Sequence, residues 1–180
     1  MQLNTNYEYW KTKLNEIQEN IDLKLFNRLN NDFKQLKKFN KKFFEINNEK
    51  YFKLKKLNSA FGITPNALFQ FIWHKIFSIY SNTKQTIIGT TVSGRNIPVK
   101  NIENVVGCFI NTLPLVVNHY NDNINIIDKI KEIQDNINEL NMNSNVKLAK
   151  LQSNGEKLFD VLFVFENYPE IKNEKLKENL

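Results

Sequence analysis

The chain has 180 residues, of which 41% are hydrophobic and 14 are phenylalanine, and this apolar content excludes global disorder. It contains no run of about 18 apolar residues that would span a membrane, and its first residues lack the basic and then apolar pattern of a signal peptide. The formal net charge of +6 comes almost wholly from lysine, because Arg28 and Arg95 are the only arginines. We interpret the excess lysine as a solvated face, with a patch for an acidic protein or nucleic acid as the alternative, and expect no nucleic-acid partner.

Hydrophobic periodicity predicts helices and one strand in the first third of the chain. Residues 5–19 form a helical stripe of Tyr7, Trp10, Leu14 and Ile17. Residues 20–38 predict partly helical structure with a weak pattern. Residues 39–46 predict a strand with Phe44 and Ile46 on one face.

Two further helices have clear end signals. One covers residues 49–61, and Gly62 stands where a left-handed C-terminal cap is expected. The next begins with Thr64 as the N-cap and Pro65 in the first turn. Its apolar residues predict a largely buried helix, in which His74 is an ordinary packed or surface histidine: Leu68, Phe69, Phe71, Ile72, Trp73, Ile76, Phe77, Ile79 and Tyr80.

The second half alternates strands with a helix, which predicts one α/β unit. Residues 85–92 predict a buried strand, residues 93–101 a loop, and residues 102–106 a short helical turn. Residues 108–117 predict a second strand, in which Pro114 favours an edge position or a bulge. Residues 123–140 predict an amphipathic helix, residues 141–153 a polar connection with one helical turn, and residues 159–165 a third strand. We expect residues 170–180 to fray.

Several kinds of chemistry have no signature here. His74 and His119 lack neighbouring ligands at metal-binding spacing, so we expect no metal site and no bound cofactor. The sequence has no phosphate loop, dinucleotide motif or nucleophile elbow. Cys108 is the only cysteine, so no internal disulfide forms, which favours a reducing, cytoplasmic location. We expect Cys108 to be a buried structural thiol.

Two polar residues between the second-half strands are candidate functional residues. Arg95 follows Gly94 in a chain that otherwise uses lysine, and its guanidinium can hold a carboxylate with two bonds. The alternative for Arg95 is a surface cation. Asn111 lies in an apolar strand, where its amide either fixes the local backbone or binds something that enters a channel.

Four segments, in chain order, resemble the condensation domains of nonribosomal peptide synthetases. They are YEYWKTKL, TPNALFQFIWHKIFSIYSNTKQTIIGTTVSGRNIP, VVGCFINTLPLVV and LFDVLFVFENYP, and they span most of residues 7–169. The third segment resembles the family motif Gly-x-Phe-Val-Asn-Thr, with Ile110 in place of valine. Each piece is weak alone, and the ordered set carries the resemblance.

The resemblance implies a fold and a reaction. The fold is α/β, or an α+β sandwich: an incomplete lobe similar to chloramphenicol acetyltransferase, with a mixed sheet and flanking helices. Such domains have two lobes and join a donor acyl thioester to an acceptor amine, both held on the phosphopantetheine arms of carrier proteins. Their N-terminal lobe carries a His-His-x-x-x-Asp-Gly motif, which this sequence lacks. We therefore expect residues 1–180 to be a partial, C-terminal lobe, with no catalytic residue of its own.

The resemblance also suggests roles for four residues. It implies that Arg95 pairs with the aspartate of the histidine motif across the lobes, and that Asn111 lies near the tunnel. It places Gly94 and Gly107 where backbone freedom is needed. The segment NMNSNVKLAKLQS departs from the family pattern, so the resemblance assigns it no donor-side contact.

The predicted function is that of a fragment whose parent forms amide bonds and which is inactive alone. It would be a truncated gene, a split module or an excised piece. Its expected partners are carrier proteins and the missing N-terminal lobe or neighbouring synthetase domains, with no membrane. The alternative is a non-catalytic module that binds a carrier protein or completes a split condensation or epimerization domain; a cyclization domain also stays open.

Overall fold

The computed structural model describes residues 2–17, 40–95, 100–119, 124–152 and 157–166. Their helices are α1 (Gln2–Asn15), α2 (Asn48–Phe61), α3 (Pro65–Ser81), α4 (Ile126–Met142) and α5 (Leu148–Leu151), with a 3-10 turn at Ile102–Asn104. Their strands are β1 (Gln85–Val92), β2 (Asn111–Asn118) and β3 (Leu162–Phe163). These elements confirm the predicted helices and strands of the second half, although β2 begins later and β3 is shorter than the sequence suggests. The predictions for residues 20–38, 96–99 and 170–180 lie outside the described residues.

The helix ends follow their sequence signals. The Thr64 side chain accepts a hydrogen bond from the amide of Ala67, and Pro65 occupies the first turn of α3. Gly62 ends α2 in the left-handed conformation, with φ 66°. These local interactions fix the sharp α2–α3 corner.

The described strands form one mixed sheet in the order β2-β1-β3. β1 pairs antiparallel with β2, in register from Gln85–Asn118 to Val92–Asn111, and parallel with β3. The amide of Gly89 donates to the carbonyl of Val161 on the β3 side, so Gly89 and its β2 partner Pro114 exchange no hydrogen bond. Proline, which has no N–H, is therefore tolerated at this position of β2. Among the described strands β2 lies at the edge of the sheet, which agrees with the predicted edge position of Pro114, and the predicted α/β class is confirmed.

The core lies between the sheet and the helices α3 and α4. One face of β2 contributes Leu113, Leu115 and Val117, and each is buried. The amphipathic helix α4 buries Ile130, Ile133, Ile137 and Leu140. Trp10 of α1 joins this core with 1% of its surface exposed, and its ring N–H donates to the carbonyl of Asn143 at 2.9 Å.

Helix α3 is oriented differently from the prediction of a largely buried apolar stripe. Its inward face includes Gln70 and His74, which are fully buried and bind the hydroxyls of Thr90 and Thr86 on β1. The threonines need hydrogen-bond partners when buried, and the helix supplies them. Much of the apolar stripe therefore faces outward, with exposed side chains at Ile72, Trp73, Ile76, Ile79 and Tyr80.

The strand predicted for residues 39–46 is wrong for its described part. Residues 40–47 have neither helix nor strand, and Phe43 and Phe44 are 91% and 90% exposed. A strand needs a paired neighbour, and no described strand lies beside this segment. Among the described residues, none of the helices combines the length and apolar character needed to cross a bilayer.

Candidate functional site

Arg95 closes the loop that follows β1. Its Nη1 donates to the carbonyl oxygens of Ile102 at 2.7 Å and Val105 at 3.0 Å. Ile102 begins the 3-10 turn, and Val105 directly follows it. The guanidinium also lies over the Phe109 ring, 4.5 Å from the ring centre. Arg95 is therefore a fixed part of the loop rather than the free surface cation that the sequence left open.

Gly94 lies against the backbone of Phe109. It adopts φ 63°, a conformation that L side chains rarely take, and a Cβ at this position would overlap the Phe109 carbonyl oxygen. Both constraints require glycine here. The backbone freedom that we expected at Gly94 is therefore used, because the residue adopts a positive φ.

Gly107 has a different constraint from the one predicted. Its φ is not positive, so backbone freedom is not the reason for glycine at this position. A Cβ there would lie 3.2 Å from Cε2 of the Phe109 ring, which is tighter than most packing contacts. Gly107 therefore makes room for an aromatic side chain.

Asn111 joins the start of β2 to the connection between α4 and α5. Its Nδ2 donates to the carbonyl oxygens of Ser144 at 2.9 Å and Val146 at 2.7 Å, and its Oδ1 accepts from the amide of Thr112. Both N–H groups of the amide are used. Of the two roles that the sequence left open for Asn111, the structure supports backbone fixation.

A cleft of about 580 Å³ opens beside Asn111. One wall comes from Gly94 and residues 108–111, and the other comes from residues 144–147 and Lys150, with Tyr7 of α1 between them. Lys150 lies over the Tyr7 ring at 5.4 Å. None of the described residues that line the cleft is acidic, so its local charge is positive.

The cleft brings together some of the predicted residues and adds others. Gly94 and Asn111 line it directly, and Arg95 is connected to it through Phe109. The sequence reasoning missed Phe109 and the wall from residues 144–147. The signal for that wall was Asn111 itself, since a polar amide in an otherwise apolar strand needs acceptors from another segment.

Cys108 differs from its prediction. It is exposed and lies on the cleft wall rather than in the core. The reason is that β2 begins only at Asn111, so residues 105–108 remain in the exposed loop. Within the described part of the chain, no three histidine, cysteine, aspartate or glutamate side chains lie close enough together to hold a metal ion.

The two histidines lie at the other end of β1. His74 Nδ1 and His119 Nε2 both contact the Thr86 hydroxyl, at 2.7 and 2.9 Å. His74 is fully buried, as its interpretation as an ordinary packed histidine allows. Because this pair adjoins the first residues of β1 and the cleft adjoins its last, the histidines are not part of the cleft.

Comparison with known proteins is consistent with the sequence motifs. Residues 1–179 match the family described as Condensation domain. N-(5-amino-5-carboxypentanoyl)-L-cysteinyl-D-valine synthase of Penicillium rubens is 42% identical over 130 residues, which is 70% of this chain and 3% of that protein. Gramicidin S synthase 2 of Brevibacillus brevis is 30% identical over 175 residues, which is 95% of this chain and 4% of that protein.

The chain thus spans only a small part of the length of these relatives. Among solved structures, holo T3CT is 28% identical, with a TM-score of 0.47 over 50% of this chain and 21% of that one.

Proposed function

Because the chain belongs to the condensation-domain family, we propose that it is the C-terminal lobe of a nonribosomal peptide synthetase condensation domain. In the proposed reaction, the acceptor amine attacks the donor thioester carbonyl. A C–N bond forms, the C–S bond breaks, and the donor phosphopantetheine arm leaves as a thiol. The amine loses a proton, which the family resemblance assigns to a histidine of the His-His-x-x-x-Asp-Gly motif. That motif is not in this sequence, so a second polypeptide segment supplies it.

The orientation of Arg95 is the observation that carries this proposal. Nη1, the guanidinium nitrogen cis to Cδ, is taken up by the Ile102 and Val105 carbonyls. The Nε–H and one Nη2–H lie parallel on the opposite edge, and neither nitrogen binds a described residue. This edge matches the two oxygens of a carboxylate. It supports the pairing of Arg95 with the aspartate of the histidine motif.

The cleft supports a role in holding a carrier-bound substrate. Its volume of about 580 Å³ is in the range of small-molecule sites, roughly 300–1,000 Å³. Lys147 and Lys150 give it a positive rim, which suits the phosphate of a phosphopantetheine arm. Asn111 holds the two walls together and so maintains the opening.

The positive rim also favours the second candidate function, a non-catalytic module that docks an acidic carrier protein. Such a module needs surface charge but no histidine motif. Titration of the chain with an acidic carrier protein at low and at physiological salt distinguishes the two. Salt-sensitive binding without any effect on condensation favours the module.

A reconstitution assay tests the main proposal. The chain is incubated with donor- and acceptor-loaded carrier proteins, with and without a protein that carries the double-histidine lobe. Amide product is expected only when both are present. Product from the chain alone refutes the assignment of the proton-transfer step, and no product from the pair refutes the split-domain proposal.

A further inference from the structure

Phe109 lies against three residues of the loop between β1 and β2: Arg95, Gly94 and Gly107. Its ring lies under the Arg95 guanidinium, its carbonyl oxygen adjoins Gly94, and its ring edge adjoins Gly107. Both glycines are thus positions where a larger residue would displace Phe109. The loop therefore constrains Phe109 at its backbone carbonyl, through Gly94, and at its ring, through Arg95 and Gly107.

A contact between an aromatic ring and a guanidinium differs from a hydrogen bond because it can leave the N–H groups of the guanidinium free to donate. A ring that lies against the face of a guanidinium uses none of its N–H groups, because those point outward in the guanidinium plane. The two carbonyls hold Nη1, and the guanidinium carbon lies over the Phe109 ring, 4.5 Å from the ring centre. None of the described residues accepts from the remaining edge, Nε and Nη2, so within that part of the chain this edge keeps its capacity to donate.

We propose that Phe109 is a positioning residue for Arg95: its ring fixes the plane of the guanidinium so that the Nε–Nη2 edge is already aimed at an incoming carboxylate. This inference rests on the proposed function, which supplies that carboxylate from the other lobe. Holding the fork in place reduces the conformational entropy that is lost when two bonds form at once. An aliphatic side chain of similar size would fill the space without holding the plane.

Nitrogen-15 NMR on the chain itself tests the positioning directly. With only two arginines in the sequence, arginine-selective labelling gives one Nε signal for Arg95 and one internal reference from Arg28. In the wild-type chain, Arg95 is expected to show a ring-current shift and slow rotation about its Nε–Cζ bond. Phe109→Leu should remove the shift and speed the rotation, and Phe109→Tyr should retain both. An Arg95 signal that does not change in Phe109→Leu overturns the proposal.

An activity cycle tests the consequence in the reconstituted pair. Phe109→Leu is expected to weaken capture of the double-histidine lobe by about 2- to 5-fold, the range of a partly exposed cation–π contact, and Phe109→Tyr should restore it. The loss should disappear in an Arg95→Ala background, because the ring then has nothing to orient. An equal loss in both backgrounds would show that Phe109 acts independently of Arg95.

Two measurements distinguish loss of Arg95 positioning from loss of the fold and from loss of condensation activity. Thermal unfolding of each variant separates loss of the fold from loss of positioning, and Phe109→Tyr serves as the folded control. The NMR result requires no condensation activity. If the wild-type pair is inactive while the Arg95 signal still depends on the ring, the proposed function fails and the positioning of Arg95 stands.

Discussion

His74 and His119 contact the same hydroxyl, that of Thr86. Nδ1 of His74 lies 2.7 Å from Oγ1, and Nε2 of His119 lies 2.9 Å from it. Nε2 of His74 is buried without a hydrogen-bond partner. A proton on His74 Nδ1 is therefore favoured, since it leaves a bare acceptor rather than an unsatisfied N–H in the core.

This arrangement predicts loss of stability in mild acid. Burial and the nearby His119 lower the pKa of His74 to about 3, and burial with Lys75 and Lys129 lowers the pKa of His119 to about 4, against the opposing effect of Glu132. Below pH 6.5 the unfolded chain binds protons that the folded chain does not, so stability should fall from about pH 6.5 towards pH 4. Urea unfolding at several pH values measures this.

The histidine contribution is separated from that of the carboxylates by substitution. His119→Gln should flatten the decline between pH 6.5 and pH 5, where most carboxylates stay ionised. The same slope in wild type and variant would mean that His119 does not contribute to the decline.

Asn111→Asp should destabilise the chain by about 1–3 kcal/mol. The new carboxylate has no N–H to donate and would face the carbonyl oxygens of Ser144 and Val146, which now accept from Asn111. Asn138→Asp on the exposed side of α4 is the matched control and should change stability little. Equal melting temperatures for the two variants would contradict a bracing role for Asn111.

Gly94→Ala and Gly62→Ala form a second matched pair. Both glycines have positive φ, 63° and 66°, so alanine is strained at either position by about 1 kcal/mol. At Gly62 the added methyl meets open space, whereas at Gly94 it overlaps the Phe109 carbonyl. Denaturant unfolding should show a clearly larger loss for Gly94→Ala, and similar losses would mean that the loop relaxes around the methyl group.

Arg95→Lys should lower the activity of the reconstituted pair. Lysine keeps the charge but has no planar guanidinium. A single ammonium group cannot bind the two loop carbonyls and also present two parallel N–H groups to a carboxylate. Lys53→Arg, on the exposed face of α2, is the control that changes chemistry without touching the loop. Unchanged turnover and unchanged melting in Arg95→Lys would remove Arg95 from the site.

The outward face of α3 should promote self-association of the chain. Ile79 and Tyr80 are 66% and 69% exposed, next to the exposed Ile72, Trp73 and Ile76. Light scattering should show association that Ile79→Lys reduces, while a charge substitution at the exposed Lys53 should leave it unchanged. A monodisperse wild-type monomer at all concentrations would contradict this.

The sequence by itself determined the elements whose signals are local. The Thr64–Pro65 start of α3, the Gly62 cap of α2 and the β-branched run of β1 are each set by residues within a few positions of one another. The family also followed from the sequence, because its motifs keep their order along the chain. The sequence also singled out Arg95, Asn111 and Gly94, which lie at the end of β1 and the start of β2; their functional roles stay predictions.

Only the tertiary structure decided what these residues contact. The partners of Asn111 lie beyond a whole helix, and α3 turned Gln70 and His74 inward because β1 places Thr86 and Thr90 against it. The exposure of Cys108 and the contact of the Phe109 ring with the Arg95 guanidinium depend on the path of the loop between β1 and β2. Periodicity measures how apolar a face is, but the hydrogen-bond needs of the opposing strand select which face is buried.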